Sequence, residues 1–342
     1  MTRPTLAVTM GDPAGVGPEI IVKAWTATRD GEQPFFVIGD HSLLAGAPGA
    51  GGLKLERIAS AEQAAAVFPR ALPVLDLPVQ GQVVAGKPSP AHAAAVIRWI
   101  ETASGLSLSG AIGGMVTAPI AKAPLYQAGF EFPGHTEFLG ELTRGHGRGD
   151  VRGPVMMLTA QDLKTTLVTI HEPLSAVPAL LTIDRIVSTA RITARALEEE
   201  FGISSPRLAV AGFNPHAGES GSIGREEAEI IAPACSALRR LGVDCTDPLP
   251  ADSLFHSAAR ARYDAVVCMY HDQALIPVKM LDFWGGVNAT LGLPIVRTSP
   301  DHGVAYDIAG RGLARADSLI AAIEMAGGMA SRRASRAGSR AA

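Results

Sequence analysis

The sequence predicts an α/β fold in two domains, and three observations carry that prediction. Short apolar runs alternate with helical patterns along most of the chain. The runs are nearly continuous in apolar residues, as strands covered on both faces are, and polar Gly- or Pro-rich segments interrupt the pattern twice. At 342 residues the chain also fits about two domains of roughly 150 residues.

The first element is a β-prone run, Thr5 to Thr9, followed by the glycine-rich Gly11–Gly17 and then by Pro18-Glu19, which suit a first helical turn. This strand, loop and helix match neither G-x-G-x-x-G nor G-x-x-x-x-G-K-[ST]. The loop therefore reads equally as a tight structural turn or as a ligand cradle. Further strands are expected at Phe35 to Ile38, Pro73 to Leu77, Gly113 to Thr117, Val155 to Thr159, Thr165 to Ile170, Leu208 to Ala211 and Ala265 to Met269. Helices are expected at Pro90 to Ala103, Ile183 to Phe201 and Glu226 to Leu241, where Ala, Leu, Ile, Glu and Arg recur at helical spacing.

Candidate junctions fall at Thr143 to Gly153, near Gly134-His135-Thr136, and at Pro294 to Gly303. They suggest a first domain of residues 1–134 plus 295–330, a middle domain of 135–294, and a basic tail of 331–342 expected to be disordered with its arginines solvated.

A composition of 47% hydrophobic and 18% charged residues with net charge −3 is that of an ordinary globular protein. It argues against nucleic acid and anionic membrane as partners, both of which favour a large basic surface. Cys235, Cys245 and Cys268 are odd in number and form no C-x-x-C pair, so neither a disulfide framework nor a cysteine zinc site is indicated, and a reducing cytoplasm fits. The opening residues reach Gly, Asp and Pro too early for a signal peptide, and no apolar run approaches the ~18 residues of a membrane span.

Chemistry concentrates between Tyr270 and Asp307, where His271, Asp272, Lys279, Arg297 and Asp301 accompany a Gly-Pro-rich loop. This stretch reads as half of an active site. His171, His216 and His271 each stand at or near the end of an expected strand, where ligands of open α/β sheets bind. Three imidazoles suit a divalent transition metal and leave a position open for substrate. Taken singly, each reads first as an ordinary surface or core histidine, because spacings of 45 and 55 residues match no compact metal motif. His135-Thr136 ahead of Glu137-Phe138-Leu139 read either as an anion-binding helix start or as a helix capped by Thr136. Arg297, after the apolar L-P-I-V, should emerge at a strand end with its fork available to phosphate or carboxylate.

The motifs M-G-D-P-A-G-V-G-P-E, G-H-T-E-F-L, N-P-H-A-G-E, M-Y-H-D-Q-A and G-V-N-A-T-L-G-L-P-I-V-R-T-S-P-D-H-G resemble those of the 4-hydroxythreonine-4-phosphate dehydrogenase family of vitamin B6 biosynthesis. The resemblance implies a fold like that of isocitrate and isopropylmalate dehydrogenases, two α/β domains around a cleft, working as a homodimer. It implies a divalent metal (Zn²⁺, Mg²⁺ or Co²⁺) on His171, His216 and His271, one of them reaching across the dimer interface. It also implies substrate contacts at His135, Thr136, Lys279, Asn288 and Arg297, with Asp252 and Asp272 beside the metal. His135, a metal-adjacent aspartate or Lys122 would relay the proton. H-G-V-A-Y-D-I-A-G-R-G, from His302 to Gly312, is similar to the adenine-binding loop of isopropylmalate dehydrogenases. His302, Gly303 and Asp307 would contact the cofactor, and a carboxylate at Asp307 would hold a ribose and repel the extra phosphate of NADP, which favours NAD. The reaction implied is oxidation of 4-phosphohydroxy-L-threonine followed by decarboxylation to 3-amino-2-oxopropyl phosphate. Ser220-Gly221-Ser222 and Asp282-Phe283-Trp284-Gly285 depart from the family pattern. They keep 4-phosphothreonate, 4-phosphoerythronate or an aromatic dihydrodiol open as substrates, and a catalytically silent metabolite-binding homologue as a further alternative.

Overall fold

A computed structural model describes residues 3–146 and 153–341 of the chain. The described strands are β1 (Leu6–Thr9), β2 (Phe35–Gly39), β3 (Leu55–Arg57), β4 (Leu72–Asp76), β5 (Gly114–Thr117), β6 (Val155–Ala160), β7 (Leu163–Leu167), β8 (Arg207–Ala211), β9 (Asp244–Leu249), β10 (Ala265–Cys268), β11 (Val287–Leu291) and β12 (Arg297–Pro300). The chain divides into two compact units, Met1–Gly147 with Leu293–Ala342, and Arg148–Gly292. The helix His135–Leu142 therefore falls in the first unit, where the sequence suggested the middle domain. Part of the expected junction, residues 147–152, lies outside the described residues.

In the first unit the strand order is β3-β4-β2-β1-β5-β12, and every pairing is parallel. β1, β2 and β5 are buried along their whole length, which is why their sequences, L-A-V-T, F-F-V-I-G and G-M-V-T, do not alternate. Trp25 and Trp99 lie in the same core, with their indole N–H groups donating to the carbonyls of Phe68 and Leu77, so neither ring carries an unpaired polar atom inside.

The second unit has the order β11-β6-β7-β10-β8-β9, in which β6 runs antiparallel to both neighbours and the remaining pairings are parallel. Its core gathers Leu158, Leu163, Ala209, Val266, Cys268, Ala274 and Val278 under the helix His271–Leu281. The helix Ile183–Glu199 starts where expected because the Thr182 hydroxyl caps it, accepting the N–H of Arg185.

The expected disordered tail is a correction. Residues 331–341 continue the helix Asp317–Ala341. Ala and Arg are good helix formers, and extending a helix already packed on β12 avoids the cost of nucleation. Arg333 also donates to the carbonyls of Leu293 and Pro294, so this arginine is docked on its own unit. Among the described residues no helix is long and apolar enough to cross a membrane.

Candidate functional site

The second unit brings the histidine-bearing segments together by topology. His171 follows β7, His271 follows β10 and His216 follows β8, and these three strands are parallel neighbours in the order β7-β10-β8. All three histidines consequently leave the same edge of the sheet, at the carboxyl ends where α/β folds bind ligands. Hydrogen bonds tie the three exits to one another. Thr169 donates from its N–H and its hydroxyl to the Met269 carbonyl, linking the segment before His171 to the one before His271. Buried Gln273 accepts the Met269 N–H at 2.7 Å and donates to the Gly212 carbonyl at 2.6 Å, linking the His271 helix to the exit toward His216.

The His171 and His271 rings lie 5.5 Å apart, centroid to centroid. That separation suits two imidazole ligands of one ion at Zn–N distances of about 2.0–2.1 Å. His271 Nδ1 is 2.7 Å from Asp272 Oδ1, so with Nδ1 donating there Nε2 is the nitrogen that could ligate. His216 does not join them: among the described residues no three His, Cys, Asp or Glu side chains are grouped closely enough to hold an ion. The donors present fit a divalent transition metal as two of three ligands. Asp252 is exposed in the turn Ala251–Ser253, which packs on the His216 loop.

His216 sits on unusual backbone. His216, Ala217, Gly218, Glu219 and Ser220 all have positive φ, at 52°, 52°, 77°, 42° and 57°, forming a left-handed turn. Four of them are not glycine, and each such residue costs about 1–2 kcal/mol relative to the right-handed form. Glu227, 5% exposed, accepts the N–H groups of Phe213 and Asn214 at 2.7 Å each, and the Asn214 amide donates to both Glu227 and Glu226.

Lys279, on the His271 helix, has its ammonium 5.2 Å from the centroid of the Phe283 ring, and Asp282 accepts the N–H groups of Trp284 and Gly285. The segment that departs from the family pattern thus packs on a predicted substrate contact. Asn288, on β11, carries a buried Oδ1 with no hydrogen-bond partner.

The first unit holds a separate group of candidate residues. Arg297, the first residue of β12, is 3% exposed, and its Nε and Nη2 donate to the Thr117 hydroxyl at 3.2 and 2.7 Å. Burial pushes its pKa down to about 10, with Glu137 opposing, so the guanidinium stays charged at neutral pH. His135 opens the helix His135–Leu142, with Gly134 as N-cap, so capping by Thr136 is not what this motif does. Burial, with a contribution from Arg297, holds the His135 imidazole well below its usual pKa, and its Nε2 is buried without a hydrogen-bond partner. Thr136 is buried beside it, and the Lys122 stem reaches Gly134 at the mouth of this helix. A buried cation next to an unpaired imidazole nitrogen is a place for a substrate's anionic oxygen.

The glycine-rich loop proves to be a clamp on the segment from His302 to Gly312. Gly11 has φ +75° and leaves no room for a Cβ, which would fall 2.5 Å from the Pro119 carbonyl oxygen. Buried Asp12 accepts the Tyr306 hydroxyl at 2.6 Å, Val16 N–H donates to the Val304 carbonyl, and Glu19 accepts the N–H groups of Gly312 and Ala314. Lys23 closes the arrangement on Glu19 and on the carbonyls of residues 312 and 314. His302, Gly303 and Asp307 are left exposed on the loop so held. A cavity of about 360 Å³ adjoins it, lined by Gly15, Pro18, Ser42, Leu43, Ala85 and Gly310 among others.

Thr117, Gln273, Glu227, Asp12 and Glu19 were not singled out from the sequence. Each lies in or near a motif; the partners of Thr117, Gln273, Asp12 and Glu19 are distant along the chain, those of Glu227 are 13 and 14 residues away, and no local signal reveals them.

The family model described as pyridoxal phosphate biosynthetic protein PdxA matches residues 31–326. A 4-hydroxythreonine-4-phosphate dehydrogenase of Caulobacter vibrioides is 64% identical over 333 residues, covering 97% of this chain and 99% of the relative. The crystal structure of a protein of that name from Klebsiella pneumoniae superposes with a TM-score of 0.85 at 39% identity, covering 96% of this chain and 99% of the other. A terephthalate 1,2-cis-dihydrodiol dehydrogenase from Burkholderia xenovorans is more distant, with a TM-score of 0.64 at 28% identity, covering 95% of this chain and 98% of the other. Motifs, fold and relatives along almost the whole length agree, and the chain belongs to the PdxA family of pyridoxal phosphate biosynthetic proteins.

Proposed function

We propose that this chain is an NAD-dependent, metal-assisted dehydrogenase that oxidises 4-phosphohydroxy-L-threonine at its secondary hydroxyl, the product then losing CO₂ to give 3-amino-2-oxopropyl phosphate. The observation that carries the reading is the exit of His171, His271 and His216 from three neighbouring parallel strands, with Asp272 orienting one ring.

His171, His216 and His271 would hold a divalent ion, Zn²⁺, Mg²⁺ or Co²⁺, with one histidine supplied across a homodimer interface. Such an ion supplies Lewis acidity for the hydroxyl oxygen and for the charge left when CO₂ departs. NAD, when bound, would supply the hydride acceptor. Exposed Ile276, Met280, Phe283 and Trp284, on and just after the helix that carries His271, support the dimer.

The remaining roles belong to the chain's own side chains. Arg297, charged and buried, fixes an anionic end of the substrate, and the Thr117 hydroxyl holds its fork. His135 offers its unpaired Nε2 to the substrate as a hydrogen-bonding group. Its depressed pKa makes it a poor base at neutral pH, so the hydroxyl proton is left to Asp252, Asp272 or Lys122. Lys279 and Asn288 are further substrate contacts. His302, Gly303 and Asp307 receive the cofactor on the loop clamped by Asp12 and Glu19, and the Asp307 carboxylate favours NAD.

A second reading, oxidation of an aromatic dihydrodiol, is favoured by the Burkholderia relative and by exposed Phe283 and Trp284. NADH formation with added Zn²⁺, Mg²⁺ or Co²⁺ decides between them, using 4-phosphohydroxy-L-threonine, 4-phosphothreonate, 4-phosphoerythronate and a dihydrodiol in parallel. Turnover of the first substrate with loss of CO₂ supports the proposal, and preference for another overturns the substrate. No turnover of any, with NAD still bound, points to a silent metabolite-binding protein.

A further inference from the structure

We infer that Glu227 is the positioning residue of the candidate metal centre, holding His216 in a left-handed backbone conformation that the chain would not otherwise adopt. The inference rests on His216 being a metal ligand, as proposed above.

Four observations converge on this carboxylate. The turn His216–Ser220 has positive φ throughout, and only one of its five residues is glycine. Such backbone persists only when its surroundings over-determine it. Glu227 is buried, and its carboxylate accepts the N–H groups of Phe213 and Asn214 and the Asn214 side-chain amide. These donors are the residues that lead directly into Pro215 and His216, so the carboxylate grips the turn at its entrance. The one glycine in the turn, Gly218, is required by the same group, because a Cβ there would fall 2.6 Å from Glu227 Oε2. Finally, Glu227 begins a π-helical turn, Glu227–Ile231, which opens the start of the helix and places Glu226 and Glu227 side by side toward Asn214. Single π turns of this kind recur at functional sites.

His216 itself is exposed, and its ring lies 3.4 Å from Glu219 of the same turn. Core packing therefore does not orient it. Its direction comes from the backbone, and the backbone is fixed from beneath by Glu227. Ligand-orienting residues of this kind change metal affinity by about 10–100-fold when removed.

The test is metal affinity in the intact protein, measured by competition with a chromogenic chelator for Zn²⁺ and by the d–d absorption of the Co²⁺-loaded form. Glu227→Gln keeps the size of the side chain but replaces Oε2, the acceptor of the Asn214 amide, by a donor, and is expected to raise the Kd for Zn²⁺ about 10–100-fold and to shift the Co²⁺ bands. A residue that is merely structural would lower the melting temperature of the metal-free protein and leave both readouts unchanged in the folded fraction, and that result overturns the inference. If Glu227→Gln does not fold, Asn214→Ala, which removes the amide that donates to Glu227, replaces it with the same expectation. His171→Ala and His216→Ala separate the two levels. Lost affinity in these variants with unchanged affinity in Glu227→Gln removes the role of Glu227 alone, whereas unchanged affinity in the histidine variants removes the three-histidine centre and the role of Glu227 with it.

Discussion

Replacing Thr117 by valine tests the anion site at its support. Thr117 is fully buried at the end of β5, and its hydroxyl oxygen accepts two bonds from the Arg297 guanidinium, the shorter at 2.7 Å. Valine preserves the shape and leaves two donors of a buried cation without that acceptor. A hydrogen bond to a charged group is worth about 1.5–3 kcal/mol, and two bonds sharing one oxygen fall short of twice that. A loss of ~2 kcal/mol in fixing the guanidinium corresponds to a factor of about 30. Arg297 is proposed to grip an anionic end of the substrate, and a grip on the phosphate, which does not react, is lost in ground state and transition state alike. KM for the phosphorylated substrate should then rise about 30-fold with kcat nearly unchanged. Thr117→Ser retains the hydroxyl and should stay within about threefold of the parent. Steady-state kinetics on folded variants, checked by thermal melting, decide the matter. A folded Thr117→Val with unaltered KM would refute the argument, as would a Thr117→Ser variant no better than the valine.

Other expectations follow from the same geometry. The folded pKa of His135 lies well below its ordinary value of about 6.5, so between the two the unfolded chain binds a proton that the folded chain refuses. The stability His135 allows is full above about pH 6.5 and falls as pH is lowered through that window; Glutamine has no such proton to refuse, so the urea midpoint of His135→Gln should drop less from pH 7.5 to 5.0 than that of the parent, and equal drops would remove the argument. Asp12→Asn weakens the grip on Tyr306 and should raise KM for NAD about tenfold at constant kcat; Tyr306→Phe should do the same, and a change confined to kcat would contradict the clamp. Asp307→Ser should narrow the preference for NAD over NADP, read as the ratio of kcat/KM values, and an unmoved ratio would place cofactor choice elsewhere. Removal of metal by chelation should abolish turnover, with recovery on adding Zn²⁺ or Co²⁺, and activity that survives chelation would exclude the histidine centre.

Much of the fold was legible because many of its strands are nearly continuous apolar runs. β1, β2, β5, β8 and β10 announce themselves as short buried runs between helical patterns. The strands that escaped lack that signature for identifiable reasons. β3 and β9 end the strand order, and β9, D-C-T-D-P-L, carries two aspartates and a proline that an edge tolerates. β12, R-T-S-P, has no large aliphatic residue, yet it is buried. Side-chain bonds replace apolar contact there, with Arg297 on Thr117 and the Thr298 hydroxyl on the Ala322 carbonyl. The helix His271–Leu281 contains Pro277, which reads as a breaker when only the sequence is in hand.

The motifs named the side chains of the candidate site but not what holds them, and the reason is separation along the chain. Gln273 reaches Gly212 across 61 residues and Tyr306 reaches Asp12 across 294, distances at which periodicity carries no information. Composition misleads in a further respect. A lone arginine or histidine is by default a solvated surface group, and only burial shows that Arg297 is a cation removed from water and that His135 keeps an unpaired nitrogen beside it. The left-handed turn at His216 follows the same logic, since P-H-A-G-E-S has one glycine and gives no warning of five positive φ values. In each case a local rule is broken and a residue outside the segment compensates: Thr117, 180 residues from Arg297, for the buried charge, and Glu227, 13 residues from Asn214, for the strained backbone. Sites where local preference yields to long-range support are where a fold carries its function, so these compensating residues are the positions at which substitution should separate binding from stability.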